Sequence, residues 1–474
     1  MKLWQPTVLA LALVSAFPSI AVAQSNAELL NELKALRERV GQLEQKLNGT
    51  AATAAPAAAQ WGMTPDQVRE FNRIAVKTEA TEDNLIASGL KGLTVSGYIE
   101  PVYIYNQRQH RAGFQFLNDQ SIYAYDTSYM GAASIDFTKE TDSGTRWKLT
   151  LTPNRGVGSL IGAGIVQEAS VSIPLSDPTT RLIAGQIPDW SGYEYQQPTL
   201  NPFTTHNLLY DFTLPTGYTG VGVSMNLGKL AFKTMVANIN ASIKAENDKS
   251  AALVYRGDYG LDEFSGIGFA GLHGKAPNFN TGTNTTANLF EVDGYYTRGA
   301  LTMQGQASVG MQKQGAITPD VDNNYRDSSW WGVSGLVGYN VTPRLQALVR
   351  ADYIANKKNG GGLFGYNGYS PLCAPEDGVT PCMNSLGDSV PVGSLVDYGN
   401  DDRNGLGPDL SGDLHRGANR YALSFGLKYA FNTSTTFKAE YRLDGADRAV
   451  FIDSKDGTYH KQNSLLGASV VVNF

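Results

Sequence analysis

From residue 90 to the C-terminus the chain alternates apolar and polar residues with period two, the signature of β-strands with two unlike faces. Sixteen such segments are expected, at 93–105, 126–138, 145–153, 166–175, 180–187, 217–227, 230–239, 249–257, 264–275, 286–297, 300–311, 328–340, 343–356, 418–431, 434–446 and 460–474. The segment at 264–275 has no clean parity. The connections sort into two kinds that alternate without exception. Those at 139–144, 176–179, 228–229, 258–263, 298–299, 341–342 and 432–433 are short. Those at 106–125, 154–165, 188–216, 240–248, 276–285, 312–327, 357–417 and 447–459 are long. Tight turns at one end of every strand pair and long loops at the other mean that the two ends meet different surroundings.

The last segment carries a second constraint. Counting back from the terminus, Phe474, Val472, Val470, Ala468 and Leu466 are apolar, while Asn473, Ser469 and Gly467 fall on the other parity. Chain ends of soluble domains usually sit loose in water, so an apolar terminal strand is unusual. This end resembles the last strand of bacterial outer-membrane β-barrels, whose terminal Phe is read by the barrel-assembly machinery. The resemblance implies that Phe474 is an assembly signal. Outer-membrane barrels also place short turns in the periplasm and long loops outside. With both ends on the short-turn side the strand number must be even, as found. The expected fold class is therefore all-β: a 16-stranded antiparallel transmembrane β-barrel over 90–474, with a short N-terminal α-helical coiled coil.

Composition agrees with a wet barrel in outer-membrane lipid. The chain holds 51 Gly and 24 Tyr among 474 residues, with only 17% charged residues. Leu345, Ala347, Val349, Ala351 and Tyr353 form one outward face, and Tyr421, Leu423, Phe425, Leu427, Tyr429 and Phe431 another. Thr302, Gln304, Gln306 and Ser308 lie on a polar, inward face. Sixteen strands leave a lumen too wide for side chains to fill, so water is expected there. A formal net charge of −6 gives no reason to expect nucleic acid.

The N-terminal residues divide into four pieces. Residues 1–23 read as a secretory signal, with Lys2, an apolar core from Val8 to Val14, and Ala21-Val22-Ala23 as the cleavage site. Residues 24–49 carry Leu29, Leu33, Leu36, Val40, Leu43 and Leu47 in steps of four and three, the seam of a periplasmic coiled coil. The stretch Arg39-Val-Gly-Gln-Leu-Glu44 resembles the pattern of short parallel trimeric coiled coils, which implies a homotrimer. Residues 50–63 are an Ala/Pro-rich linker. Residues 64–89 read as a periplasmic helix opened by Thr64 and Pro65.

The third long connection follows the fifth segment and reads Asp189-Trp-Ser-Gly-Tyr-Glu194, with Asp211 further on. The run from Ala184 to Glu194 looks like the strand-and-loop signature of several porin families. The layout as a whole resembles general porins and the phosphate-selective and sucrose porins, where the loop after strand five often folds inward and narrows the pore. That implies a constriction at Asp189, Glu194 and Asp211. Late segments carry inward Arg344, Arg350, Arg420, Lys428, Lys438 and Arg442, a basic wall. Acidic loop against basic wall would give a transverse field that sorts ions; the bland alternative is that the charges pair locally and keep the wall wet.

The remaining features are minor. Cys373 and Cys382, the two cysteines, lie nine apart in one loop of an exported chain, so a disulfide is expected. Asn400-x-Asp402-x-Asn404-Gly405 resembles the start of a calcium loop, but Asn at its first position and Ser411 at its twelfth depart from it, leaving an acidic, solvated outer loop. His110, His206, His273, His415 and His460 are scattered and no nucleophile motif appears, so neither an enzyme, a cofactor nor a metal is expected. The expected function is a porin for passive diffusion of small hydrophilic solutes and ions. Alternatives are a channel selective for phosphate, another anion or sugar, and an adhesin or envelope-anchoring barrel.

Overall fold

A computed structural model describes residues 73–80, 86–116, 131–152, 165–239, 248–278, 281–363 apart from 321 and 323, and 413–474. It also describes 34, 37, 38, 70 and 246 and short pieces between 377 and 408. The expected signal segment, the seam residues Leu29 to Leu47, the linker, Cys373 and the calcium-like run Asn400 to Asn404 lie outside the described residues. In the smaller of two compact units, residues 73–80 are helical. In the same unit Glu140 N–H donates to Gly92 O at 3.0 Å.

The larger unit is a closed antiparallel barrel. Eighteen strands make sixteen staves, because the first two staves are each broken once. Strands β1 (Leu93–Ile99) and β2 (Val102–Asn106) form the first stave, and β3 (Arg111–Gln115) and β4 (Ala133–Glu140) the second. The next five are β5 (Arg146–Leu151), β6 (Val166–Pro174), β7 (Thr180–Pro188), β8 (Gly217–Leu227) and β9 (Leu230–Ile239). Then come β10 (Ala251–Gly260), β11 (Ser265–Asn278), β12 (Thr283–Arg298), β13 (Leu301–Gln312), β14 (Ser328–Asn340) and β15 (Leu345–Ala355). The last three are β16 (Arg420–Ala430), β17 (Thr435–Ala446) and β18 (Gln462–Asn473).

The break in the first stave falls at Pro101, which has no N–H to give the ladder. Its carbonyl still accepts from Val470 N–H at 3.3 Å. The register is unbroken across it: Tyr98 faces Asn473 and Val102 faces Ser469. This pairing of the first stave with β18 removes the sheet edge, as a lipid-exposed sheet requires. At the rim Gly97 and Phe474 exchange two backbone hydrogen bonds, each 3.1 Å.

One expectation fails here. The first long connection is not 106–125: the chain turns within 107–110 and starts β3 at Arg111, where Asn106 faces Arg111. The extra residues lie instead inside the second stave, between Gln115 and Gly131. Gly131 has φ of 71° and sits where a Cβ would fall 2.6 Å from Gln115 O. A short, glycine-containing stretch, Arg111-Ala-Gly-Phe-Gln115, offered too little apolar contrast to be read as a strand.

Elsewhere short and long connections alternate as expected, except that β11 and β12 pair out to Asn278 and Thr283 and leave only 279–282 where a longer loop over 276–285 is expected. Gly228 (φ 64°) and Gly299 (φ 62°) supply the positive φ that two-residue hairpins need at their first central position. The outward face also stands: Tyr421, Phe425, Leu427, Tyr429 and Phe431 are exposed, while Ala422 and Ser424 between them are buried.

Candidate functional site: the third loop inside the barrel

Loop 3, the residues between β7 and β8, lies within the barrel. Its helix α1 (Leu208–Thr213) is capped by Asn207, whose side chain accepts from Tyr210 N–H at 2.8 Å. Leu208, Leu209, Phe212 and Leu214 are buried in one cluster with inward Met235 and Ile239 of β9, Val254 of β10, Leu272 of β11, Leu289 of β12 and Ile354 of β15. Burial of large apolar side chains contributes about 1.5–3 kcal/mol each, which draws the loop inward. One side of the lumen is therefore packed rather than wet. This explains why 264–275 lacks clean parity: Leu272 packs in α1's cluster and Ala270 is buried, while Ile267 is exposed on the outside. A strand covered on both faces loses its alternation.

Polar side chains then fix the loop backbone at two places. At Thr204–His206, Glu440 of β17 accepts from Thr204 N–H (3.1 Å), Thr205 N–H (2.8 Å) and Thr205 Oγ1 (2.8 Å). Arg350 of β15 donates to Thr205 O (2.8 Å) and His206 O (2.9 Å), and Arg442 of β17 donates to His206 O (2.7 Å). Lys438 Nζ donates to Pro198 O at 2.7 Å. At the other anchor, Gly192 N–H donates to Glu291 Oε1 (2.9 Å) and Arg256 Nη1 to Trp190 O (3.0 Å). Tyr193 and Ser334 hydroxyls are 2.6 Å apart. Arg256, absent from the expected set, is held by Asp258 (2.7 Å), Asp293 (2.7 Å) and Glu291 (3.3 Å). Its sequence neighbours give no sign that it meets a loop sixty-odd residues away.

The expected transverse field is not the arrangement found. Glu194 and Arg350 do not face each other across water: they are in contact at 2.9 Å, with side chains 1% and 0% exposed. Full burial pushes the Glu194 carboxyl up, and the Arg350 guanidinium pulls it back. Asp189 accepts from Ser191 N–H at 3.0 Å and from the Tyr218 hydroxyl, and burial raises its carboxyl too. Asp211 is buried 3.9 Å from His206 Nδ1. Nor is the basic wall uniform. Arg420 pairs with Asp444 (2.8 Å) and Arg442 reaches the same carboxylate (3.2 Å). Lys428 is half-buried, and Arg344 is exposed at the short-turn end. The physical reason is burial: an unpaired charge under a packed loop costs several kcal/mol, so wall and loop charges meet directly. On the far wall Lys148 sits 3.0 Å from Glu168 and 3.5 Å from Asp136, another local pairing.

A charge already neutralised and shielded contributes little to ion sorting. Glu194→Gln combined with Asp189→Asn is therefore expected to leave the reversal potential in a salt gradient unchanged while increasing current noise, as the loop loosens. A clear shift toward anions would restore the transverse-field arrangement.

Comparison with known families decides the affiliation. The model of a family described as protein of unknown function (DUF3138) matches residues 63–254 and 271–474. The chain belongs to the DUF3138 family. No curated protein matches this DUF3138 member in sequence. Among solved structures it is similar to an anion-selective porin from Comamonas acidovorans, with a TM-score of 0.50 at 8% identity, covering 81% of this chain and 99% of that one. Others are the outer-membrane channel DcaP of Acinetobacter baumannii (TM-score 0.47, 12% identity, 81% and 97% covered) and OmpT, an outer-membrane protein of Vibrio cholerae (TM-score 0.47, 11% identity, 81% and 97% covered). At these identities the likeness concerns the fold: this DUF3138 chain is a porin-type sixteen-stave barrel.

Proposed function

We propose that this protein is an outer-membrane channel through which small hydrophilic solutes and ions diffuse, beside a loop 3 fixed to one wall. The observation that carries this is the combination of a closed barrel, apolar outside, with a loop pinned inside it by Arg350, Arg442, Glu440 and Arg256. A barrel kept only as an anchor has no need of a loop fastened inside it by buried ion pairs. The proposal includes export by the signal at 1–23, assembly through Phe474 by the barrel-assembly machinery, and a homotrimer held partly by the coiled coil at 24–49. It also includes a Cys373–Cys382 disulfide in the seventh loop, whose reduction would add two hydrogens' mass to the intact chain.

A channel selective for phosphate or another anion is the second reading, favoured by the five cations Arg350, Arg420, Lys428, Lys438 and Arg442 on β15 to β17. Three of them, Arg350, Arg420 and Arg442, are fully buried against carboxylates and carbonyls, which leaves diffusion the stronger one. Planar-bilayer recording of the purified protein in a salt gradient tests both. Open channels with weak ion preference, appearing in steps of three, are expected. Saturable conductance with strong anion preference would favour the selective channel, and a sealed barrel would favour an adhesin or anchor.

A further inference from the structure

Away from the lumen, the eighth long loop and the first turn meet beside the seam where the barrel closes. In that loop Phe451–Ile452 pairs with Tyr459–His460, Phe451 facing His460. The turn between them carries Asp453 and Asp456. Asp453, Asp456 and His460 each offer one ligand atom, and these atoms all lie within 4.8 Å of one another. From the opposite side the first turn brings His110, held at φ of 47°, with Nε2 2.7 Å from Asp453 Oδ1. Two imidazoles and two carboxylates thus converge from loops 343 residues apart.

The surroundings orient these groups, and Lys455 N–H donates to Asp453 Oδ1 at 3.0 Å. Arg108 Nη1 donates to Asp453 Oδ2 at 3.1 Å, which fixes the carboxylate and leaves Oδ1 toward the imidazole. Arg108 is itself tied to Gln462 O (3.1 Å) and, through its N–H, to Asn463 Oδ1 (3.1 Å). The Thr458 hydroxyl lies 2.7 Å from Asp456 Oδ1 and 3.0 Å from His460 Nε2, bridging the other two ligands. Such outer partners set the orientation of metal ligands.

We propose that His110, Asp453, Asp456 and His460 form a site for one divalent transition ion of the zinc class. Zinc takes four nitrogen or oxygen donors at about 2.0–2.2 Å, which places neighbouring donors roughly 3.3 Å apart in a tetrahedron. The Asp453, Asp456 and His460 atoms already lie within 4.8 Å of one another, and His110, 2.7 Å from Asp453 Oδ1, would swing toward Asp456 and His460 to supply the fourth donor. Two imidazoles among four donors suit zinc and disfavour calcium, which takes six or more oxygens. A bound ion would tie the first turn to the last long loop across the seam between β2 and β18. The site stands apart from loop 3 and does not depend on the channel reading.

The test is equilibrium dialysis of the full-length, detergent-solubilised protein against zinc alone. One saturable ion per chain is expected, with affinity falling at least about tenfold in His110→Gln/His460→Gln. Asp456→Asn, an exposed change, should weaken binding in the same direction while electrophoretic mobility of the folded barrel stays as in the parent. Absence of saturable binding overturns the proposal. So does zinc binding unaltered by these substitutions, or calcium binding of equal affinity that ignores both histidines.

Discussion

Replacing Arg350 by Ala is expected to release loop 3 and to produce the largest change in conductance of any single substitution in the lumen. The guanidinium is fully buried and touches three carboxylates, Glu194 at 2.9 Å, Asp352 at 3.4 Å and Glu440 at 3.4 Å. It also donates to Thr205 O and His206 O and stacks 4.7 Å over the Phe203 ring. Its loss leaves buried negative charge uncompensated, at a cost of about 3–5 kcal/mol. The barrel staves keep their own ladders, so the loop yields before the wall does. Single-channel recording should show larger and noisier openings, and thermal unfolding should begin at lower temperature. Arg350→Lys should recover part of the charge but not the fork that spans two carbonyls. Unchanged conductance and stability in Arg350→Ala would mean that the clamp at Thr204–His206 does not hold the loop.

Removing Phe474, or replacing Gly97 by Val, is expected to abolish most folded barrel while leaving the few channels that form with ordinary conductance. Gly97 is glycine for a steric reason: a Cβ there would lie 2.4 Å from Ser134 O and 2.7 Å from Phe474 Cζ. The terminal ring rests on the bare backbone of the first stave, beside the two hydrogen bonds that close the sheet. A larger residue at 97 pushes away both the ring and the second stave, opening an edge that lipid cannot satisfy. The yield of detergent-resistant folded protein measures this. Normal yield from the truncated chain would show that the end of β18 is dispensable for closure. Gly97→Ala should give an intermediate loss, since one methyl meets the same two atoms.

Much of the barrel was legible in sequence because its physics is local. An apolar residue at every second position meets lipid on one face, so Tyr421 to Phe431 could be read outward without knowing any partner strand. Two-residue hairpins announced themselves through Gly228 and Gly299. Where the lumen face is also apolar, as at Ala270 and Leu272, the alternation faded, and that loss was itself a sign that something covers the inner wall. The second stave is hard to read because its strand residues are split by an excursion, and five residues around Gly113 carry too little pattern. The carboxylates of loop 3 stand out in the sequence but not their partners, since sequence distance gives no hint that Glu194 lands on Arg350.

The order of residues is enough to tell that the chain closes an even-stranded barrel, at which end its two-residue turns lie, and which side chains face lipid. These follow from periodicity and turn chemistry within a few residues. Where loop 3 goes and what its charges do depend on contacts between distant parts of the folded chain. Burying α1 against β9 to β15 brings residues more than a hundred positions apart into a dry interior, where charges must pair with whatever the opposite surface presents. The same holds outside the lumen, where His110 reaches Asp453 only because the first stave pairs with the last.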